Sequence, residues 1–209
     1  MVACAIDDNV QNHQLMLLHG AQGKGKSTFI RHLLPPELKD YYRNGMIIPE
    51  NNNHLLQLSS YLLINLDEFD TLSPERMQNL KSLITQDVVN ERKVYDIQNY
   101  TYIRRASFIA STNNPHCMPD VKENRRILFS TLLNIDYHTP VNHEGIYAQA
   151  YALYRQGFQY WYENEEITFL NNRNEAFRQK DPIEENLFFY FRAARQNDIQ
   201  AQWYPASYL

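Results

Sequence analysis

The chain has 209 residues, of which 44% are hydrophobic and 21% are charged, a composition typical of ordinary globular proteins. These values exclude a disordered, strongly acidic or collagen-like chain, and the length predicts one domain with at most an appendage. The formal net charge of −4 lacks the basic excess typical of nucleic-acid-binding domains, so any contact with nucleic acid has to come from local patches.

The sequence does not predict export or membrane insertion. No apolar run approaches the roughly 18 residues of a membrane-spanning helix, and the first residues lack the basic region of a signal peptide. The cysteines Cys4 and Cys117 form no disulfide framework or metal motif, which favours a reducing compartment. We therefore expect a cytoplasmic protein with no membrane partner. Because the first motif begins as early as Gln14, we also expect the chain to be part of a longer protein.

Apolar runs with the length of buried strands recur through the first two thirds of the chain. They predict strands at residues 14–18, 61–66, 107–110 and 127–133. Rings alternate with polar side chains over residues 92–105, a pattern that predicts a β-hairpin. Residues 37–60 are polar and interrupted by Pro49, so we expect an exposed excursion there.

Helical periodicity and helix boundary signals complete the predicted layout. Ser73 and Pro74 supply the N-cap and first-turn proline of a helix of about a dozen residues. Further helices are predicted at residues 27–34, 144–163, 172–180 and 183–195. The sequence therefore predicts an α/β core over residues 1–140, followed by a helical subdomain and tail over residues 141–209.

One run of eight residues fits the phosphate-loop pattern G-x-x-x-x-G-K-[ST] at every fixed position, between a predicted strand and a predicted helix. Backbone N–H groups of such a loop hold the phosphates of a nucleotide, and the helix N-terminus adds partial positive charge. We expect Lys26 to pair with the phosphates, with its head facing ligand and water, and Ser27 to coordinate Mg²⁺. The residues predicted to bind the nucleotide are Gly20, Gln22, Gly23, Lys24, Gly25, Lys26, Ser27 and Thr28.

Two acidic residues, Asp67 and Glu68, follow the second predicted strand. Carboxylates at the end of a buried strand are costly unless a cation faces them, and in phosphate-loop enzymes that cation is Mg²⁺. We expect Asp67 to hold the metal with Ser27, and Glu68 to polarise the attacking water as a general base. Asp70 is instead a candidate cap for the helix that follows.

Polar groups near two further strands complete the candidate catalytic set. Asn113 follows the third strand, and its amide is expected to orient the water between the γ-phosphate and the base, although Asn-Asn-Pro is also a turn signal. Arg125 and Arg126 precede the fourth strand, and a guanidinium positioned on a phosphoryl group accelerates its transfer. A solvated basic pair is the alternative interpretation. Arg104 and Arg105 are weaker candidates for the same role.

The order of these motifs resembles that of the virulence-associated E (VirE-like) P-loop ATPases, which are related to superfamily-3 helicases and phage primase-helicases. The resemblance spans about residues 14–135, and a downstream stretch from Ala148 to Ile167 is similar to that family's helical tail. It is carried by the phosphate loop together with Asp67-Glu68, Lys81 to Thr85, Arg92 and Tyr95, Arg104-Arg105 with Phe108, Thr112-Asn113, and Asp120 to Arg126.

The resemblance implies a P-loop NTPase core of the ASCE or AAA+-like type, with a parallel sheet flanked by helices. In such a core the strand bearing Asn113 lies between the two nucleotide-binding strands. The resemblance also implies ATP and Mg²⁺ as cofactors, and a homo-oligomeric ring in which Arg125 or Arg126 reaches the neighbour's ATP. Two features depart from the family: Glu123 replaces a glycine, and no primase region precedes the ATPase, so priming would belong to a separate primase or a missing segment.

The predicted hairpin is a candidate nucleic-acid contact. In superfamily-3 helicases a hairpin before the third strand lines the pore and touches DNA. Here it carries Arg92, Lys93 and Tyr95, and such cations interleaved with rings suit the phosphates and bases of single-stranded DNA. The alternative is an ordinary hairpin with one face packed on the core.

These features favour an ATP-hydrolysing NTPase of helicase type that acts on DNA, in the replication or mobilisation of a phage or mobile element. Two alternatives stay open from the sequence. One is a nucleotide-gated binding module with low intrinsic turnover. The other is a small-molecule kinase, although the sequence has no Arg-rich segment that would form its lid.

Overall fold

The computed structural model describes residues 1–45, 56–67, 69–92, 99–118, 125–179, 182–192, 194 and 201–202. Its strands are β1 (Leu15–His19), β2 (Tyr42–Asn44), β3 (Leu63–Leu66), β4 (Val88–Arg92), β5 (Asn99–Ile103), β6 (Ser107–Thr112) and β7 (Ile127–Thr131). Its α-helices are α1 (Val2–Ile6), α2 (Lys26–Arg31), α3 (Leu56–Ser60), α4 (Pro74–Ile84), α5 (His143–Arg155), α6 (Asn164–Glu175) and α7 (Pro182–Tyr190). Two 3-10 helices lie at Pro36–Tyr41 and Phe69–Thr71.

Five of these strands form one parallel sheet in the order β2-β3-β6-β1-β7, and β4 pairs with β5 in a separate antiparallel ribbon. In the central part of the sheet, Leu15 lies opposite both Phe108 and Ile127. Strand β6 is buried along its whole length, as expected for a strand that is covered on both faces of a parallel sheet. The predicted α/β fold is confirmed, and the carboxyl ends of β1, β3 and β6 meet at one edge of the sheet.

Apolar side chains pack on both faces of this sheet because successive strand residues point to opposite sides. On one face, Leu17 and Phe108 lie in the larger core cluster, to which α4 contributes Met77, Leu80 and Ile84. On the other face, neighbouring strand positions pack with helix α2 in a second cluster of Leu18, Ile30, Leu34, Leu63 and Ile109. The sheet is therefore flanked by helices on both sides.

The predicted excursion over residues 37–60 is wrong in part. Residues 42–44 form the edge strand β2, and Leu58 on α3 is fully buried. The buried amide of Asn65 donates Nδ2–H to Asn44 Oδ1 at 2.8 Å and links the edge strand to β3. A three-residue edge strand made of Tyr, Arg and Asn carries no apolar run, so the sequence pattern could not reveal it. Residues 46–55 lie outside the described part of the chain.

The predicted hairpin is confirmed as the β4–β5 ribbon, with Val88 opposite Ile103 and Arg92 opposite Asn99. It begins four positions earlier than predicted, at Val88 instead of residue 92. Its middle, residues 93–98, is outside the described ranges, and so are the predicted contact residues Lys93 and Tyr95.

All three predicted C-terminal helices have the wrong bounds, and α7 ends at Tyr190 instead of residue 195. Helix α5 ends at Arg155 because Gly157 adopts a left-handed φ of 76°, and Phe158 N–H donates to Leu153 C=O at 3.0 Å. Helix α6 covers residues 164–175 in place of the predicted 172–180, since Glu163 forms its N-terminal capping box. Glutamate is not among the preferred N-cap residues, so the start of this helix had no clear sequence signal.

The helical segment after residue 140 packs directly against the sheet. Asn174, which is fully buried on α6, donates Nδ2–H to the carbonyl of Ile127 at 2.7 Å. The ring of Phe177 stacks on Phe129 of β7, with centroids 3.6 Å apart. A division at residue 140 stays a prediction. Among the described residues, no helix combines the length and the apolar character that crossing a membrane requires.

Candidate functional site

A cavity of about 590 Å³ opens at the edge where β1, β3 and β6 end. Three chain segments that are distant in sequence supply most of its lining. The lining residues are Gln22, Gly23, Lys24, Gly25, Lys26, Ser27, Thr28, Asp67, Asp70, Thr71, Ser111, Thr112, Asn113 and Tyr137. Of the predicted nucleotide-binding residues, only Gly20 is absent from this lining. Its N–H donates to the carbonyl of Thr112 at 3.2 Å and ties the start of the loop to the end of β6.

The loop after β1 has the backbone that an anion-binding loop needs. Gly23 and Gly25 have left-handed φ values of 77° and 82°, and Gly25 is the N-cap of α2. Left-handed residues that alternate with right-handed ones turn successive N–H groups toward one concave side, where an anion can bind. Two left-handed glycines separated by one residue are compatible with such a concave arrangement.

Lys26 lies beneath this loop and is only 7% exposed. Its Nζ donates to Gly20 C=O at 2.6 Å, to Ala21 C=O at 2.9 Å and to Asn113 Oδ1 at 2.7 Å. Burial lowers the pKa of the Lys26 ammonium, and the nearby Asp67 carboxylate opposes that shift. The expectation that the lysine head faces water is wrong, because all three ammonium protons have acceptors within the protein. Its pairing with phosphates stays a prediction.

The contact with Lys26 also settles the orientation of the Asn113 amide. An ammonium group can only donate, so the amide oxygen faces the lysine, and the amide NH₂ group is the donor left on this side chain. A residue that sequence reasoning assigned to water positioning is thereby joined to the phosphate-loop lysine.

Asp67 and Ser27 form a second contact between separate segments of the site. Asp67 Oδ1 accepts a hydrogen bond from Ser111 Oγ at 2.8 Å and lies 3.5 Å from Ser27 Oγ. Mg²⁺ ligands lie 2.0–2.1 Å from the ion in octahedral positions, so two neighbouring ligands are about 2.9 Å apart. Ser27 and Asp67 would have to approach by about 0.6 Å to share one Mg²⁺, which keeps water and phosphate oxygens in its remaining positions. No cluster of three or more His, Cys, Asp or Glu residues suited to a metal occurs within the described residues.

The neighbouring acidic residues have different positions. Asp70 does not cap helix α4: Ser73 accepts the N–H of Arg76 at 3.3 Å, whereas Asp70 Oδ1 accepts from Thr112 Oγ1 at 3.0 Å. The cap role considered for Asp70 is therefore wrong, and this carboxylate lines the cavity instead. Glu68, the predicted general base, lies outside the described residues.

Five residues of the cavity lining were not predicted as site residues: Asp70, Thr71, Ser111, Thr112 and Tyr137. Ser111 is the first polar residue after the apolar run of β6, a signal that could have been used. Tyr137 lies in the irregular segment after β7, where no pattern marks it, and its ring rests on the phosphate loop. A Cβ atom on Gly25 would lie 2.1 Å from Cδ1 of this ring, so glycine is required there by contact as well as by φ.

Arg125 and Arg126 do not lie at this cavity. Leu15 N–H donates to the Arg126 carbonyl at 2.7 Å, which places both arginines at the amino edge of the sheet. The phosphate loop follows the other end of β1, roughly 16 Å away at 3.3 Å per residue. The two arginines line a second cavity of about 290 Å³. Within one chain, they are therefore separated from the predicted nucleotide-binding residues.

The weaker arginine candidates have structural contacts instead. Arg104 is 1% exposed, and its guanidinium donates to the backbone carbonyls of Ala106 (3.1 Å) and Asn12 (2.6 Å). Burial lowers its pKa to about 10. Arg105 pairs with Asp8 and donates to Cys4 C=O at 2.9 Å. Neither lines the cavity of its own chain, so the nucleotide role considered for them stays an untested prediction.

Three solved structures are similar to this chain over part of their length. Three solved structures of the NrS-1 C-terminal region, all in the apo state, share 17% sequence identity with this chain, at TM-scores of 0.44, 0.43 and 0.45. They match 80%, 81% and 80% of this chain, whereas the chain spans about a third of their length (34%, 36% and 36%). No curated protein matches the chain.

A family model matches most of the chain. Its description is virulence-associated protein E-like domain, and the match runs over residues 1–179, from α1 through the end of α6 and the Phe177 contact. The range includes every predicted site residue. The family suggested by the order of the motifs is thus confirmed, and this chain belongs to the virulence-associated protein E-like domain family.

Proposed function

We propose that this protein is an ATP-hydrolysing P-loop NTPase of helicase type that acts on DNA, in the replication or mobilisation of a phage or mobile element. One observation carries the ATPase assignment: Lys26, Ser27, Asp67 and Asn113 come from distant segments and converge on one cavity. An ordinary glycine turn with an exposed lysine would not bring these groups together. The helicase assignment rests on the resemblance of the motif order to superfamily-3 helicases.

The strand order supports the same class of enzyme. Strand β6, which leads to Asn113, lies between β1 and β3, which lead to the phosphate loop and to Asp67. This is the arrangement that the resemblance implies for an ASCE-type core. The edge of the sheet therefore presents the amide between the lysine and the carboxylate, where it can reach a water beside the γ-phosphate.

The proposed reaction is in-line attack of water on the γ-phosphorus of ATP. The bond from that phosphorus to the bridging β-phosphate oxygen breaks, and ADP and inorganic phosphate leave. Bound Mg²⁺ would neutralise charge on the phosphates, and Ser27 and Asp67 would hold it there. Lys26 exchanges its bonds to the carbonyls of the loop for phosphate oxygens. Asn113 orients the attacking water, and Glu68 accepts its proton.

A ring assembly would complete this site. Arg125 and Arg126 lie at the sheet edge opposite the cavity, so neither can reach the ATP of its own chain without a large rearrangement. In a head-to-tail ring, that edge of one subunit can face the nucleotide of the next. Arg125 is the first candidate for the trans contact because it is the more exposed of the two.

The decisive experiment measures ATP binding by calorimetry and ATP turnover, each with and without single-stranded DNA. We expect Mg²⁺-dependent binding, and turnover that rises with DNA. Lys39→Ala, which removes an exposed lysine far from the cavity, is the matched control for substitutions of Lys26. A turnover rate that DNA does not change and that requires a small acceptor molecule would indicate a kinase. ATP binding without sustained turnover, with or without DNA, would indicate a nucleotide-gated binding module.

A further inference from the structure

The second cavity combines cationic and aromatic side chains in a small space. It lies at the amino edge of the sheet and measures about 290 Å³. The core contributes Arg125, Arg126 and the polar segment 11–14, and the segment between α5 and α6 contributes Tyr160, Trp161 and Tyr162. Ligand pockets for drug-sized molecules start at about 300 Å³, so this cavity suits one nucleotide unit rather than a longer segment.

The charge of this cavity favours an anion. In the described part of the chain, neither Arg125 nor Arg126 has an ion pair or a side-chain hydrogen bond. The acidic groups nearby bond to two other lining residues instead of to the arginines: His13 Nε2 contacts Asp87 Oδ1 at 2.5 Å, and Trp161 Nε1–H donates to Glu163 Oε1 at 2.5 Å. Guanidinium groups that converge without a carboxylate partner are the usual recognition device for phosphate.

The rings of the cavity favour a flat partner. Tyr160, Trp161 and Tyr162 are 43%, 48% and 40% exposed, although each could bury a large apolar area. Tyr160 and Trp161 meet edge to face with centroids 5.0 Å apart, a geometry that leaves ring faces open to a ligand. Successive aromatic side chains beside cations are the usual platform for unstacked nucleic-acid bases.

We propose that this cavity binds one nucleotide unit of single-stranded nucleic acid, with the base stacked on Trp161 and a phosphate held by Arg126. Arg126 is half-buried inside the cavity, whereas Arg125 is exposed at its rim and stays available to a neighbouring subunit. The side chain of Asn12 is engaged by Ser107 Oγ and by Gln14 N–H. Binding therefore depends on stacking and charge, with little preference for base sequence. The expectation that the ligand is a polymer rests on the proposed function.

The first test uses Trp161 as its own reporter. The sequence has two tryptophans, so Trp203→Phe leaves Trp161 as the sole source of tryptophan fluorescence. The full chain is titrated in the absence of ATP with a short oligothymidine, with thymidine monophosphate and with duplex DNA. We expect the oligonucleotide to quench Trp161, the monophosphate to quench it with equal or lower affinity, and the duplex to leave the fluorescence unchanged.

The second test measures the affinity of a labelled oligothymidine by fluorescence anisotropy over a range of salt concentrations. Trp161→Ala should weaken binding by about 5- to 150-fold, which equals the loss of one base stack, and Trp161→Phe should weaken it less. Arg126→Ala should lower the slope of log affinity against log salt by about 0.7, the value for one phosphate contact. Phe169→Ala and Arg173→Ala remove an exposed ring and an exposed cation from α6 and should change neither quantity.

The outcomes separate this inference from the proposed function. Unchanged Trp161 fluorescence, or an equal loss in the two α6 controls, would overturn the inference, provided circular dichroism shows folded variants. Tighter binding of the monophosphate than of the oligonucleotide would overturn the polymeric ligand. A protein that binds the oligonucleotide at Trp161 and fails to bind ATP would contradict the proposed ATPase and support the site.

Discussion

Lys26 is held by three acceptors, two of which are carbonyls of its own loop. Each of these bonds has to be exchanged when the lysine pairs with a phosphate, so the loop and the lysine change partners together. Lys26 thus closes the loop in this structure, and in the proposed function it would also neutralise charge on the nucleotide. A substitution at this position affects both.

We predict that Lys26→Ala and Lys26→Met abolish tight ATP binding. Both should also lower the free energy of unfolding by about 1–3 kcal/mol, because buried carbonyls lose their donor. Calorimetric titration with ATP and urea unfolding check the two effects, with Lys39→Ala as the control. Unchanged ATP affinity in the two Lys26 variants would remove the phosphate-loop assignment.

The adjacent carboxylates at the end of β3 should have separable effects. We predict that Glu68→Gln keeps ATP binding and lowers turnover by about 10²–10⁴-fold, the usual contribution of a general base. Asp67→Asn should weaken the Mg²⁺ dependence of binding, because Asp67 Oδ1 lies beside Ser27 Oγ. Binding and steady-state turnover are measured across a Mg²⁺ series. If neither substitution has its effect, both acids are structural.

At the scale of elements, the phosphate loop is constrained from two sides. Its left-handed Gly25 begins α2, and the ring of Tyr137 covers the position that a side chain would need. Gly45 offers a natural comparison, since it also has a left-handed φ (107°), but no atom of the described residues lies within 4 Å of the position that its Cβ would take. The two glycines therefore distinguish backbone strain from a steric clash.

We predict that Gly45→Ala lowers stability by about 1–2 kcal/mol, the cost of a left-handed residue, and leaves ATP binding intact. Gly25→Ala should cost more and should also lose ATP binding, because Tyr137 has to move. Replacing Tyr137 with Ala in the Gly25→Ala variant should recover part of the stability. Thermal unfolding and calorimetry measure both effects, and equal costs at the two glycines would contradict the role of Tyr137.

Elements with a strong periodic or boundary signal were predictable from the sequence. The four buried strands and helix α4 fall close to their predicted places, because each has a continuous apolar run or a Ser-Pro start. Strand β2 and helix α6 were not predictable, because β2 is a polar edge strand and α6 begins at a glutamate cap. Asp67 and Asn113, which follow strands, were predicted and line the cavity, whereas Tyr137 was not predicted, since its contact depends on tertiary packing alone.

At the scale of the whole molecule, the proposed active site is divided between the two edges of the sheet. One chain holds the phosphate loop at the carboxyl edge and Arg125 at the amino edge. If a trans arginine completes the site, activity per chain rises with protein concentration. An arginine supplied in trans contributes about 10³–10⁵ in rate in well-studied GTPases, so the dependence would be large.

We predict that a mixture of Lys26→Ala chains and Arg125→Ala chains hydrolyses ATP although neither does so alone. The first offers an arginine without a usable site, and the second offers a site without the arginine. Arg126→Ala is tested in the same way, because the resemblance does not choose between the two. Turnover of the mixtures is measured together with co-assembly by light scattering. Co-assembly without recovered turnover would argue that the arginines do not act across subunits.

Strand β1 has a further consequence for how the two cavities communicate. It begins at Leu15, which is bonded to Arg126 beside the second cavity, and ends at His19, just before the phosphate loop. If a single-stranded oligonucleotide changes the affinity for ATP by some factor, thermodynamic reciprocity requires ATP to change the affinity for the oligonucleotide by the same factor. A strand of five residues that joins the two pockets offers a short, stiff route for such coupling. The affinity for the nucleic acid would then differ between the ATP-bound and the ADP-bound protein. Stepwise movement along a strand requires such a difference.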